Sequence, residues 1–213
     1  MKKSAVIFDL DGTLWDSSAN AICLWNRLFD RYGINNRMDL KTISGLMGKT
    51  MREISETLFP AFSDEERKQI IDEYSSEEVS ALYESGALLY EGIEKMLAEL
   101  SDNYDLYIVS NSQDGYVQAF LHAHGLESVF KDIEMSGRTG EDKGHNIRTL
   151  MERNGIEKAV YVGDTGSDEQ AAEYAGIPFI WAAYGFGTAS APDAQIDSVR
   201  DLPQCLSDLF ETI

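Results

Sequence analysis

Asp9 and Asp11 stand almost side by side where the apolar run Val6, Ile7, Phe8 ends, and Gly12 and Thr13 follow them. Other apolar runs also end in polar residues. "YDLYIVS" (104–110) closes on Ser110 and Asn111. "AVYVG" (159–163) runs into Asp164 and Thr165, with Asp168 a turn later. "TGEDKG" supplies Lys143 ahead of a helical pattern. Two unit charges about 4 Å apart repel by roughly 4 kcal/mol at an effective dielectric of about 20, so neighbouring carboxylates need something to offset them.

Several carboxylates near one point suit a hard cation with oxygen ligands. Mg²⁺ needs only one or two of them, with waters and substrate oxygens completing its shell. A carboxylate can also attack phosphorus and form a covalent intermediate. A second carboxyl group nearby can protonate a leaving oxygen and later accept a proton from water. Ser110 and backbone N–H groups can hold phosphate oxygens, and Lys143 can balance their charge. Together these residue types suggest an anionic nucleophile, a divalent cation and a phosphate. Each signal alone has a plainer explanation: a turn for Asp-Leu-Asp-Gly, an N-cap or turn for Ser110-Asn111, an N-cap at Ser167, a surface lysine at Lys143. The weight lies in their coincidence at strand ends and helix starts.

The elements that must position these residues are short. Residues 5–8, 104–110, 159–163 and 178–183 are continuous apolar runs of the kind found in parallel strands covered on both faces, and residues 130–137 form a weaker fifth. Helical spacing lies between them. Ile93, Met96, Leu97 and Leu100 form one stripe. Val117, Phe120, Leu121 and His124 form another before Gly125, and Ile147, Leu150 and Met151 a third before Asn154 and Gly155. This alternation predicts an α/β fold with a doubly wound parallel sheet. From Trp15 to about Gly86 no strand is evident. Ala21, Leu24, Trp25, Leu28, Phe29 and Tyr32 mark an amphipathic helix, and "DEERKQIIDEY" and "SSEEVSALYES" read as two further helices whose charges face solvent. The expected organisation is a core of residues 1–14 and 87–213 with an all-helical insert, residues 15–86. Open α/β sheets bind ligands at the carboxyl ends of their strands, so the insert should sit over that end as a cap.

The chain has 213 residues, 43% of them apolar, enough for a sizeable core. Its formal net charge of -19 disfavours nucleic acid and anionic membranes as partners. Cys23 and Cys205 show neither a disulfide framework nor metal-site spacing. The apolar run behind Lys2 and Lys3 is too short for a signal peptide or a membrane span, so a cytoplasmic protein is expected. Nothing chooses between monomer and dimer.

"DLDGTL" (9–14), "SNS" (110–112), Lys143 and "GDTGSD" (163–168), with a helical insert after the first motif, resemble the haloacid dehalogenase-like hydrolase superfamily. The similar branch contains phosphoglycolate phosphatases and β-phosphoglucomutases, and the resemblance spans essentially the whole chain. It implies a Rossmann-like core, Asp9 as the nucleophile that becomes aspartyl-phosphate, and Asp11 as general acid and base. It also implies Mg²⁺ held by Asp9, the backbone carbonyl of Asp11 and Asp164, with Asp168 ligating it or orienting its waters. Ser110 and Asn111, beside Gly12 and Thr13, would bind the phosphoryl group, and Lys143 would bridge it to the nucleophile. Gly144 and Glu91 stand where many relatives have proline, away from this chemistry.

A halide leaving group needs no proton and an alkoxide does, so Asp11 favours hydrolysis of a small phosphorylated metabolite over dehalogenation. A phosphomutase is the alternative, although mutases of this kind use a cap histidine, and His122, His124 and His145 all lie outside the insert. A catalytically silent binding protein is a third reading. Substrate selection is expected in the insert, at Lys49 and Arg52, which could reach an anionic tail, or at Trp15.

Overall fold

The computed structural model describes residues 4–212; Lys2, Lys3 and the last residue of the expected core lie outside them. Six strands form one sheet: β1 (Ala5–Phe8), β4 (Asp105–Ser110), β5 (Phe130–Met135), β6 (Ala159–Gly163), β7 (Phe179–Ala182) and β8 (Ala194–Ile196). Their order is β5-β4-β1-β6-β7-β8, and all five pairings are parallel. The chain winds outward from β1 to one side and then to the other, so β1 sits at the centre, where such sheets bind ligands. Alternation along the strands fills both faces. Val6, Phe8, Ile108 and Val162 point into one apolar cluster, and Ile7, Tyr107, Val109 and Tyr161 into the other. The covering helices are α5 (Ile93–Ser101), α6 (Tyr116–His124), α8 (Lys143–Asn154), α9 (Gly166–Ala175) and α10 (Leu202–Thr212), with the short α7 (Ser136–Thr139) after β5.

Between β1 and α5 lie α1 (Ser18–Arg31), α2 (Leu40–Ser44), α3 (Met51–Leu58) and α4 (Asp64–Ser85). They bury a separate apolar cluster around Trp25, Phe29, Phe59 and Tyr74. The Trp25 and Tyr74 rings stack at 3.8 Å between centroids. Two details differ from expectation. A two-residue ribbon, β2 (Trp15–Asp16) against β3 (Leu88–Leu89), joins the two crossings between this helical region and the sheet. Two residues per strand are too few to leave a periodicity. The two charged stretches are also one continuous helix, α4, started by a Ser63–Glu66 capping box.

The expectation that the charges of α4 all face solvent fails at Glu78, which is only 4% exposed. Its Oε1 accepts a hydrogen bond from the Tyr74 hydroxyl at 2.6 Å, and its Oε2 accepts one from Gln113 Nε2, in the loop after β4, at 2.7 Å. Asn111 Nδ2 donates to the Gly48 carbonyl at 2.8 Å. These two bonds span the gap between the helical region and the sheet.

Burial pushes the Glu78 carboxyl from 4.5 up to about 7, against the pull of its two donors. An acid whose folded pKa lies above its unfolded value holds its proton more tightly in the fold, so its contribution to stability is lost as pH rises through that interval. Urea titrations from pH 4.5 to 7.5 should show wild type losing up to about 3 kcal/mol more than Glu78→Gln. Equal pH slopes would mean that Glu78 titrates alike in the folded and unfolded chains.

Candidate active site

The carboxyl ends of β1, β4 and β6 meet the N-terminal ends of α8 and α9. Asp9 directly follows β1, and its N–H donates to the Val162 carbonyl at 2.8 Å, which keeps it locked to the sheet. Lys143 opens α8, behind the Asp142 cap. Asp168 belongs to a capping box at the start of α9. The cap of that helix is Thr165 rather than Ser167, because the helix already begins at Gly166.

These placements bring four charged groups together with almost no exposure: Asp9 and Lys143 at 2%, Asp164 and Asp168 at 0%. Lys143 Nζ lies 2.9 Å from Asp9 Oδ1 and 2.5 Å from Asp168 Oδ1. Asp168 Oδ2 accepts from the Thr165 N–H at 2.9 Å and its hydroxyl at 2.6 Å, so both Asp168 oxygens are engaged. Asp164 Oδ2 accepts from the Phe186 N–H at 2.7 Å. Asp164 Oδ1 is buried with no hydrogen-bond partner. One ligand atom from each of Asp9, Asp164 and Asp168 lies within 4.8 Å of the others. An orphaned carboxylate oxygen among converging hard donors fits a divalent cation.

The electrostatics follow from burial. Desolvation, then the charge of Asp168, pushes the Asp9 carboxyl up, against the pull of Lys143. Desolvation likewise raises Asp164, with Asp168 and Asp9 adding to it. Burial pulls the Lys143 ammonium down, but Asp168 and Asp9 outweigh it and hold the lysine charged. Fully ionised, the three acids and one lysine leave an excess of negative charge, and among the described residues Lys143 is the one cation paired with this group.

Asp11 lies beyond the strand end and is tethered separately. Its Oδ1 accepts from Trp15 Nε1 at 2.9 Å, from the Ser17 hydroxyl at 2.6 Å and from the Tyr116 hydroxyl at 2.8 Å. Burial pushes its carboxyl up, opposed by those three bonds. Three donors on one oxygen leave the other as the atom to carry a proton.

Asp9, Asp11, Ser110, Asn111, Lys143 and Lys49 line one cavity of about 60 Å³ under the helical region. The other sequence candidates lie elsewhere. Gly12 backs Asp164: its φ is +83°, and a Cβ there would sit 2.2 Å from Asp164 Oδ2, so only glycine fits. Thr13 is buried at 1%, and its carbonyl accepts from the Tyr184 hydroxyl at 2.9 Å. Trp15 is buried among Tyr116, Phe120 and His124 and reaches the site through its bond to Asp11. Arg52 is not brought to the cavity: its side chain is 86% exposed and pairs with Glu56 at 3.0 Å. Ser17, Tyr116, Glu78, Tyr74 and Gln113 also line the cavity and were not singled out from sequence. A signal for two of them exists, since Ile70, Tyr74, Glu78 and Leu82 recur every fourth residue and form the buried stripe of α4.

Residues 6–182 match the haloacid dehalogenase-like hydrolase family. A phosphoglycolate phosphatase of Xanthomonas campestris is 28% identical over 187 residues, covering 85% of this chain and 84% of that protein. One from Synechococcus elongatus is 27% identical over 214 residues, covering 97% and 98%. The solved structure of a haloacid dehalogenase-like family hydrolase from Streptococcus pneumoniae shares 26% identity at a TM-score of 0.83, covering 96% of this chain and 98% of that one. With a family match across most of its length and the same fold in a solved relative, the chain belongs to the haloacid dehalogenase-like hydrolases.

Proposed function

We propose that this enzyme is a Mg²⁺-dependent phosphatase that hydrolyses a small phosphate monoester through a phosphoryl group carried on Asp9. The observation that carries this reading is the separation of two carboxyl groups in one cavity. Asp9 is fixed by the sheet and paired with the Lys143 cation, while Asp11 is fixed by three neutral donors on one oxygen. One is placed to attack and the other to deliver a proton.

In the first step an Asp9 oxygen bonds to phosphorus as the ester P–O bond breaks, and Asp11 gives its proton to the departing alkoxide. In the second, Asp11 takes a proton from water as the water oxygen attacks phosphorus, and the Asp9–phosphorus bond breaks to release inorganic phosphate. Lys143 faces the phosphoryl oxygens beside Asp9, and Ser110 with the Asn111 backbone holds them from the end of β4. The Asn111 side chain is occupied with Gly48 and with the Ser136 hydroxyl, which donates to it at 2.9 Å. Asp9, the Asp11 carbonyl and Asp164 would hold Mg²⁺. Asp168, with both oxygens engaged, would orient Lys143 and the metal's waters. Bound there, Mg²⁺ supplies charge stabilisation to the phosphoryl oxygens.

The helical region, residues 15–86, acts as a cap whose opening admits substrate to the core of residues 1–14 and 87–213 and whose closure excludes water. Exposed Cys23 and half-buried Cys205, both free thiols, suit a reducing compartment such as the cytoplasm. The names of the relatives make phosphoglycolate the first ester to assay. The mutase alternative gains no histidine here: the His124 ring is packed against Trp15 and Phe120.

Asp9→Asn should lower turnover of acetyl phosphate, a small reactive phosphoryl donor, by about 10⁴-fold or more while the melting temperature stays close to wild type. Near-normal turnover would remove Asp9 as nucleophile. EDTA should stop the reaction and Mg²⁺ restore it. Independently of activity, Mg²⁺ at about 100 times its Kd should stabilise the fold by about 2.7 kcal/mol in thermal melts, and an unmoved melting curve would contradict the metal site.

A further inference from the structure

Glu78 is a carboxylate that the proposed chemistry does not use. It sits on α4, 4% exposed, and lines the same cavity as Asp9 and Asp11 from the cap side. Among the described residues no lysine, arginine or histidine pairs with it. Its bonds come from two neutral donors, Tyr74 on one oxygen and Gln113 on the other. A carboxylate has about four acceptor positions, so each oxygen keeps capacity for another donor. A buried charge served only by neutral donors remains costly until further donors reach it.

Trp25, Leu46 and Met47 supply apolar lining to the same cavity, and the Trp25 ring stacks on Tyr74. Cationic help for an anionic substrate tail is scarce. Lys143 is shared between Asp9 and Asp168. Lys49 lines the cavity but is solvent-exposed, and Arg52 is turned away onto Glu56. A second negative group arriving from the substrate would meet Glu78, and like charges juxtaposed in a desolvated site cost several kcal/mol.

We propose that Glu78 is the specificity-determining residue of the cap wall, selecting an ester whose leaving group ends in a hydrogen-bond donor, hydroxyl or ammonium, over one that ends in a carboxylate. This rests on the phosphatase reading above and sharpens it. Phosphoglycolate, the ester in the names of the relatives, becomes a poor substrate, and a short polyol or amino-alcohol phosphate a good one. The competing role for Glu78 is purely mechanical: its bond to Gln113 would hold the cap shut whatever ester is inside.

The test compares kcat/KM at pH 8, above the value of about 7 to which burial lifts Glu78, so that the carboxylate is charged. The esters are glycerol 3-phosphate, O-phosphoethanolamine and 2-phosphoglycolate, with acetyl phosphate as a probe lacking both groups. Wild type should favour at least one donor ester over phosphoglycolate by about 10-fold or more, the pair of donor esters separating hydroxyl from ammonium. Glu78→Gln should shrink that ratio by about 10-fold, chiefly through KM. Because the ratio is taken within one protein, losses of folded enzyme cancel. A wild-type preference for phosphoglycolate, or no preference among the three esters, overturns the assignment without any variant. An unchanged ratio in Glu78→Gln also overturns it and leaves the residue as a latch. If wild type turns over neither acetyl phosphate nor any ester, the phosphatase reading itself falls and this one with it.

Discussion

Four charged side chains meet where water hardly reaches, and the fold is organised around keeping them there. Asp9, Asp164 and Asp168 would repel one another strongly, and Lys143 offsets only part of that. Each is held by an element that cannot easily move. Asp9 is bonded into the central strand region, Lys143 is the first residue of a capped helix, and Asp168 is the third residue of α9, locked to Thr165 in a capping box. The backbone gives way around them: Gly12 leaves no Cβ to strike Asp164, and at Gly185 a Cβ would lie 2.3 Å from the Asp164 Cβ. Rigid supports of this kind let like charges stay close, and the proposed cation site and nucleophile both depend on that crowding.

The sheet and the convergence of most of the candidate residues were legible in the sequence, for a common reason. Parallel strands buried on both faces must be continuous apolar runs, so a run followed by an acid marks both a strand and its functional end. Gly125 and Gly155, read as helix stops, do adopt left-handed φ values of +65° and +59°. What escaped notice depends on distance along the chain or on brevity. Nothing local announces that the Tyr116 hydroxyl reaches Asp11 across 105 positions. β8 has three residues and β2 only two, too short for a pattern. Glu78 was hidden by its neighbours, because a charged stretch reads as solvated surface unless the four-residue stripe beneath it is followed.

The two sides of the cavity divide the work. On the core side are rigid groups tied to strand ends, suited to a phosphoryl group that is the same in every ester. On the cap side are aromatic and aliphatic residues with one acid held by Tyr74 and Gln113, suited to the part of the ester that varies. Asn111 joins the two, since it follows β4 and its side chain grips the Gly48 carbonyl. Release of that single side-chain bond and of the Glu78–Gln113 bond accompanies any separation of the two halves.

The ribbon of Trp15–Asp16 against Leu88–Leu89 places the outgoing and returning chain side by side. Everything between those positions is therefore a cassette, plugged into the sheet through adjacent sockets. Mutation or recombination can lengthen, shorten or exchange it while the sheet keeps its register. One hydrolytic engine can in this way be fitted with many different mouths.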